Sequence, residues 1–469
     1  MKSNKEELPE HSIEPPGSRR RSPWTNVPDS DWYDWKWQLS NRISSTDELF
    51  RTLKLSDSEL EVLDISNIFR VGITPYFANL IDPWDVNCPL RRQVIPTTAE
   101  AKISPDEMTD SLGEDKHSPV AGLIHRYPDR VLMLINNQCA SYCRFCTRSR
   151  LVGDPVHQYN NKDYQIQIDY IAANPAIRDV LLSGGDPLIL PQPVLESILI
   201  KLREIPHVEV VRIGTRVPIF LPMRIDEQLC AMLRKYHPLW MNIHINHPKE
   251  ITPEAKEAIS RMADAGIPLG SQTVLLAGIN DCPQLMKKLF QILVQNRVRP
   301  YYLYQCDQVP GSNHFRTSIG AGLEIMESLR GHTSGFAIPT YVIDAPEGGG
   351  KIPILPQYLI SSSDRNAVIR NYEGLITAYH QPPGYQGHDP LTCPQCLKTA
   401  LSGQAGVSAL LSGKDRSIVP DRWQASHQRS IPLPLDLHPD PMLADRQKPL
   451  RRTKGMTHKS RVYNKRKYG

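Results

Sequence analysis

Between residues 130 and 345 the chain alternates short apolar runs with longer amphipathic stretches. RVLMLIN, DVLLSG, VEVVRIG, LWMNIHI, LGSQTVLL, PYYLYQ and PTYVID are short, rich in apolar residues and bounded mostly by Gly, Pro, Asn or Asp, which predicts strands. Between them, VLESILIKLREI and PEAKEAISRMADAG repeat apolar residues at helical spacing. The second carries its own punctuation, with Thr252 as cap, Pro253 in the first turn and Gly266 as stop. Regular strand–helix alternation over this length predicts an α/β fold with a parallel sheet, most simply a (β/α) barrel or partial barrel.

The flanks read differently. Residues 1–24 are polar and Pro-rich and are expected to be disordered. Residues 25–117 read as a helical region: DSDWYDWKWQLSNRI has apolar residues at helical spacing, and SDSELEVLDISNIF starts on capping residues. Its Trp cluster reads as packing. The barrel is assigned to 118–372. After about 375 the pattern dissolves into Pro- and Gly-rich sequence, with Cys393 and Cys396 in 373–425 and a basic low-complexity tail over 426–469.

Composition narrows the setting. Of 469 residues 40% are hydrophobic, and charge, Gly or Pro interrupts every apolar run before it could span a bilayer. The start, MKSNKEELPEHSIEPPGSRRRSP, has no apolar signal core, so a cytoplasmic protein with nine reduced cysteines is expected. The net charge of +5 is concentrated at the end, where the chain from Arg446 onward holds ten Lys/Arg and no acid. Such a run reads as a solvated extension, with a nucleic-acid or acidic-partner contact as the alternative.

Polar clusters sit where the expected strands end: the cysteine run, Ser183-Gly184-Gly185-Asp186, Gly214-Thr215-Arg216, His244, Gln272, Asp307 and Asp344. In (β/α) barrels that end builds the active site. The cysteine run NNQCASYCRFCTRSR places Cys139, Cys143 and Cys146 at C-x3-C-x2-C. A structural zinc site takes four protein ligands, and iron–sulfur cluster thiolates usually come in fours. Three thiols on one loop leave one metal position open. The other readings are a zinc hook, which would need a fourth ligand nearby, a disulfide, which would strand one thiol, or a chance cluster. With Phe145 before the third cysteine, the spacing resembles the radical S-adenosylmethionine (SAM) superfamily, whose open iron binds SAM.

The second strong element is DAPEGGGKIPILP. It is not a Walker phosphate loop, which needs Gly where Ala345 stands and Ser or Thr where Ile352 stands. A glycine run lets the backbone approach a flat ligand, and a partly desolvated lysine such as Lys351 suits a Schiff base. A surface lysine on a flexible turn is the plain alternative.

Taken together, HRYPDRVLMLINNQCASYCRFCTRSR, DVLLSGGDPL, VRIGTRVP, NHPKEIT, VLLAGINDC, RPYYLYQCD, HFRT, LRGHTSG and DAPEGGGK resemble the lysine 2,3-aminomutase family, in the same order and from about residue 25 to 400. The resemblance implies a PLP-dependent radical SAM isomerase that converts L-lysine to L-β-lysine. Carried over position by position, Lys351 would bind PLP, with Arg126, Tyr127, Arg130 and Tyr304 completing the PLP site. Ser183, Gly184, Gly185, Asp186, Arg216, His244 and Gln272 would surround SAM. Arg148 would clamp the substrate carboxylate, and Asp307 and Asp344 would grip its distal ammonium.

The resemblance further implies a homo-oligomer with a 4Fe–4S cluster on Cys139, Cys143 and Cys146. It also implies an electron donor such as flavodoxin or ferredoxin, and no membrane. Cys282, Cys393 and Cys396 match a structural zinc site. An upstream cysteine of that site is missing, since Leu391 stands there, and His388 is the other candidate. Arginine 2,3-aminomutase, or a lysine mutase serving translation-factor modification, are the alternatives within this chemistry. An RNA-associated modifier would leave Lys351, Asp307 and Asp344 without a role. Cys88, Cys230 and Cys306 read as core, and QVPGSNHF departs from the family pattern.

Overall fold

Val180 and Leu182 leave their strand on one face and are fully buried, while Asp179, Leu181 and Ser183 leave it on the other and line a cavity. This period-two alternation repeats around the sheet and decides what becomes core and what becomes site. The computed structural model describes residues 15–16, 19–64, 70–154, 158–363 and 365–382. Its main sheet takes the strands in chain order: β1 (Leu123–Tyr127), β2 (Arg130–Asn136), β3 (Asp179–Gly184), β4 (Val210–Thr215), β5 (Leu239–His244), β6 (Leu269–Leu275), β7 (Val298–Gln305), β8 (Thr340–Ala345) and β9 (Gly350–Pro353). From β2 to β8 every pairing is parallel. The outermost strands, β1 and β9, pair antiparallel.

The seven parallel strands are the seven apolar runs of the sequence. Helices cross between them at Asn161–Ala172, Gln192–Arg203, Glu227–Arg234, Pro253–Asp264, Pro283–Gln295 and Ile319–Leu329. Thr252 caps the fourth by accepting from the Ala255 N–H, and Gly266 just beyond it has φ 78°, as the punctuation predicted. The sheet curls until its first and last strands meet. The Lys351 N–H of β9 donates to the Tyr127 hydroxyl of β1 at 3.0 Å, giving a partial (β/α) barrel. Neither edge strand was legible in the sequence, because GKIP carries loop residues and LIHRY mixes charge with aliphatics.

The helical region before the barrel consists of Asp29–Trp32, Trp35–Ser40, Thr46–Thr52, Asp57–Asp64 and Pro75–Leu80. The Trp-rich run breaks in two because Asp34 caps a new helix, accepting from the Lys36 N–H. Trp24, Trp32 and Trp37 pack with ring centroids 6.0 Å and 6.3 Å apart. Residues 19–24 are not a disordered tail: Trp24 is buried, and Arg21 binds Asn79 through its N–H and the Ala78 carbonyl through its guanidinium, both at 2.9 Å. Further pairing follows the barrel strands. Strands β10 (Leu359–Ser362), β11 (Asn366–Arg370) and β12 (Ile376–His380) form a separate antiparallel sheet. The chain divides into two units after Gln381. Among the described residues no helix is long and apolar enough to cross a membrane.

Candidate active site

The inward face of the barrel encloses a cavity of about 520 Å³. Its wall gathers nearly every residue the sequence singled out. Cys139, Cys143 and Cys146 stand at one end, followed by Ser183, Gly184, Gly185, Asp186, Arg216, His244 and Gln272. Tyr304, Asp307, Asp344 and Lys351 occupy the opposite wall, and Arg126, Tyr127 and Arg130 close the first-strand side.

The cysteine loop is pinned from several directions. Arg42 donates to the Cys139 carbonyl at 2.6 Å, and the Arg144 N–H to the Gln93 carbonyl at 2.9 Å. The ring of Phe145 is buried and meets His244 and Phe315 edge-on, with centroids 5.7 Å and 5.9 Å away. The aromatic between the cysteines therefore anchors the loop to the barrel. Gly184 and Gly185 have a packing role the sequence did not reveal. A Cβ on Gly184 would lie 1.9 Å from the Asn136 carbonyl oxygen, and one on Gly185 would lie 2.1 Å from that of Gln138. Only glycine lets the end of β3 lie against the start of the cysteine loop.

Burial pushes the thiols of Cys139, Cys143 and Cys146 upward, the last to about 11, and the Arg216 guanidinium opposes this at Cys143. Arg216 Nη1 donates to Cys143 Sγ at 2.7 Å. Its Nη2 donates to Gln93 Oε1 at 2.5 Å and to Glu250 Oε1 at 3.1 Å. Asn246 completes the network by donating to Gln93 Oε1 at 2.9 Å. The resemblance places Arg216 beside SAM; it lines the same cavity, and its guanidinium also holds a cysteine sulfur. Gln93, Asn246 and Glu250 were not foreseen. Asn246 and Glu250 carried only the hint of lying in the quoted NHPKEIT motif, and both are fully buried.

Two other residues assigned to the SAM wall also have occupied side chains. The Asp186 carboxylate accepts from Thr215 Oγ1 at 2.7 Å and from the N–H groups of Arg216, Val217 and Leu188, so it shapes the β4 turn. Burial first, then the Arg216 charge, drives the His244 pKa well below normal, leaving a neutral imidazole whose Nε2 lies 3.1 Å from Asn246 Oδ1.

At the other end, Lys351 Nζ donates to both carboxylate oxygens of Asp344, at 2.8 Å and 2.9 Å. It lies 5.0 Å from the Tyr304 ring centroid. Gly348 and Gly350 have φ of 89° and 84°, the left-handed turn that presents Lys351 and that a side chain would strain. The Arg130 guanidinium stacks 4.0 Å from the Tyr127 ring centroid. Asp307 is pushed up to about 7, by burial first and then by Asp344, with Lys351 and Arg148 pulling the other way. Arg148 Nη2 donates to Glu114 Oε1 at 2.6 Å. Burial works against the Arg148 charge and Glu114 more than compensates, so its pKa stands above normal.

The donor sets fit the expected groups. The three thiols line one cavity and feel one another's charge, and thiols are the donors that hold an iron–sulfur cluster. The buried Nε of Arg126 has no hydrogen-bond partner among the described residues. With Arg130 beside it, that orphaned donor suits a phosphate. Cys88, Cys230 and Cys306 are buried in the core. Cys282 is exposed at the cap of helix Pro283–Gln295, and His388, Cys393 and Cys396 lie outside the described residues.

Comparison with known proteins agrees with this geometry. Residues 133–289 match the radical SAM superfamily, and residues 326–433 match the family described as lysine-2,3-aminomutase. The chain is 50% identical over 412 residues to the L-lysine 2,3-aminomutase of Fusobacterium nucleatum subsp. nucleatum, covering 88% of this chain and 96% of that one. It is 49% identical to that of Acetoanaerobium sticklandii, covering 86% and 98%. The glutamate 2,3-aminomutase of Clostridioides difficile is 46% identical, covering 76% and 85%.

Proposed function

Because the chain belongs to the lysine 2,3-aminomutase family of radical SAM enzymes, we propose that it moves the α-amino group of L-lysine from C2 to C3, giving L-β-lysine. The observation that carries this reading is the single cavity shared by Cys139, Cys143, Cys146, Lys351, Asp307 and Asp344. When bound, a 4Fe–4S cluster with SAM supplies a reversible hydrogen-abstracting radical, and PLP supplies the conjugated system across which nitrogen migrates.

The chain's own residues hold and orient. Cys139, Cys143 and Cys146 would hold the cluster through their thiolates, leaving it one position without a protein ligand. Ser183, Gly184, Gly185, Asp186, Arg216, His244 and Gln272 border the SAM space; of these, the glycines, Asp186 and Arg216 act by shaping its wall. Lys351 would attach PLP beside Tyr304, and Arg126, Tyr127 and Arg130 would take its phosphate. Arg148 receives the substrate carboxylate. Asp307 and Asp344 receive the distal ammonium, because a partly buried carboxylate pair attracts a cation and repels an acidic side chain.

The same proposal includes a homo-oligomer, a flavodoxin- or ferredoxin-type electron donor, and a structural zinc on Cys282, Cys393 and Cys396. Metal analysis of Cys282→Ser tests the zinc, which should be lost while iron is kept.

The central test is anaerobic reconstitution with iron, sulfide, SAM and PLP, followed by lysine, arginine and glutamate in parallel. β-Lysine should form fastest. A fully loaded protein that leaves lysine unchanged would overturn the assignment, and faster turnover of arginine would reassign the substrate.

A further inference from the structure

Glu114 lies outside the sheet, before β1, yet its carboxylate forms part of the cavity wall. Arg148 Nε donates to both its oxygens at 3.0 Å, and Nη2 adds a third bond at 2.6 Å. The two side chains are 7% and 14% exposed, so the pair is screened little by water. The loop that carries Glu114 is itself tied down. The N–H groups of Glu114 and Asp115 each donate to the Asp110 carboxylate at 2.9 Å. Arg150, two residues beyond Arg148, pairs with Asp115 at 3.0 Å and Asp110 at 3.4 Å. Two neighbouring arginines thus fix one acidic loop.

Glu114 occupies the side edge of the guanidinium, formed by Nε and Nη2. Glu114 leaves the end of the fork to the cavity, where Nη1 donates to Ser183 Oγ at 3.4 Å on the inward face of β3. We infer that Glu114 is the positioning residue of the substrate-carboxylate clamp, turning Arg148 so that an α-carboxylate meets the end of its fork beside Ser183. This rests on the reading above, in which Arg148 receives that carboxylate. A second consequence concerns charge. Glu114 offsets the Arg148 cation, so the clamp itself holds one carboxylate through directed hydrogen bonds and adds little net positive charge.

The test uses PLP-loaded, SAM-free protein titrated with L-lysine and with L-lysinamide, which lacks the carboxylate, following the absorbance change of bound PLP. Glu114→Gln should weaken lysine binding about tenfold to a hundredfold, leave lysinamide nearly unchanged, and so collapse the discrimination between them. Glu114→Asp should fall between wild type and Glu114→Gln. Equal weakening of both ligands, or full discrimination in Glu114→Gln, overturns the inference. Should Glu114→Gln lose PLP or fail to fold, Glu114→Asp decides: intermediate discrimination supports the role and full discrimination overturns it. A wild-type protein whose PLP spectrum ignores lysine would instead refute the aminomutase reading.

Discussion

Lys351 Nζ bridges both oxygens of Asp344, at 2.8 Å and 2.9 Å. The lysine proposed to attach PLP and the aspartate proposed to hold substrate are thus each other's partner. They face each other because β8 and β9 pair antiparallel with Asp344 opposite Lys351. If Asp344 holds the substrate ammonium as proposed, that ammonium would take the place of Lys351 on the carboxylate.

Asp344→Asn should therefore weaken lysine binding sharply. Truncating one partner of a buried charge pair costs about 2–5 kcal/mol, so KM for lysine should rise at least about thirtyfold. Iron and PLP content should be unchanged, and normal lysine KM in the loaded variant would exclude Asp344 from substrate recognition.

Asp307 sets a pH limb. Its carboxyl is raised to about 7 from about 3.9 in an unfolded chain. A cation binds the ionised form, so lysine affinity should strengthen as pH rises through about 7, with a proton released on binding near neutrality. The stability effect has the opposite sign. The folded chain keeps this proton to higher pH, so the contribution is fully present below about 4 and is lost as pH rises to about 7. Calorimetric titrations with lysine in two buffers of different ionisation enthalpy should detect the released proton in wild type and lose it in Asp307→Asn.

Arg216 should tune the cluster. A guanidinium donating to Cys143 Sγ at 2.7 Å stabilises the more negative, reduced cluster. Arg216→Lys keeps the charge but loses the fork that joins Cys143 to Gln93 and Glu250. Redox titration followed by electron paramagnetic resonance should show the midpoint potential lowered by roughly tens of mV with iron content retained. An unshifted potential would reduce Arg216 to a packing group.

Stability outside the site depends on Arg91 and Glu59. Arg91 Nε donates to Glu59 Oε1 at 2.8 Å and Nη2 to Oε2 at 2.6 Å, with both side chains almost completely buried. Glu59→Gln leaves a buried charge unpaired, at about 3–5 kcal/mol. The apparent Tm should fall by roughly 3–7 °C in a chain of this size, while the PLP spectrum at low temperature stays that of wild type. An unchanged Tm would show that water or another group compensates.

Local pattern was enough for much of this molecule. The seven parallel strands declared themselves through short apolar runs, the Pro253–Asp264 helix through its cap and stop, and the cysteines and Lys351 through spacing within single loops. Each is a property of a few consecutive residues, and backbone geometry converts it directly into structure. The neighbours of those residues were not legible. Arg216 meets Gln93 from 123 positions away, Lys351 meets Tyr127 from 224 positions away, and Glu114 reaches Arg148 from a segment with no motif of its own. The sheet had to curl before these side chains shared a cavity, and burial there, which strengthens each charge and penalises each unpaired one, determined their partners. Sequence alone determined which chemistry the chain carries. The tertiary structure decided which groups hold it in place, because hydrogen bonds and ion pairs depend on distance in space and leave no period along the chain.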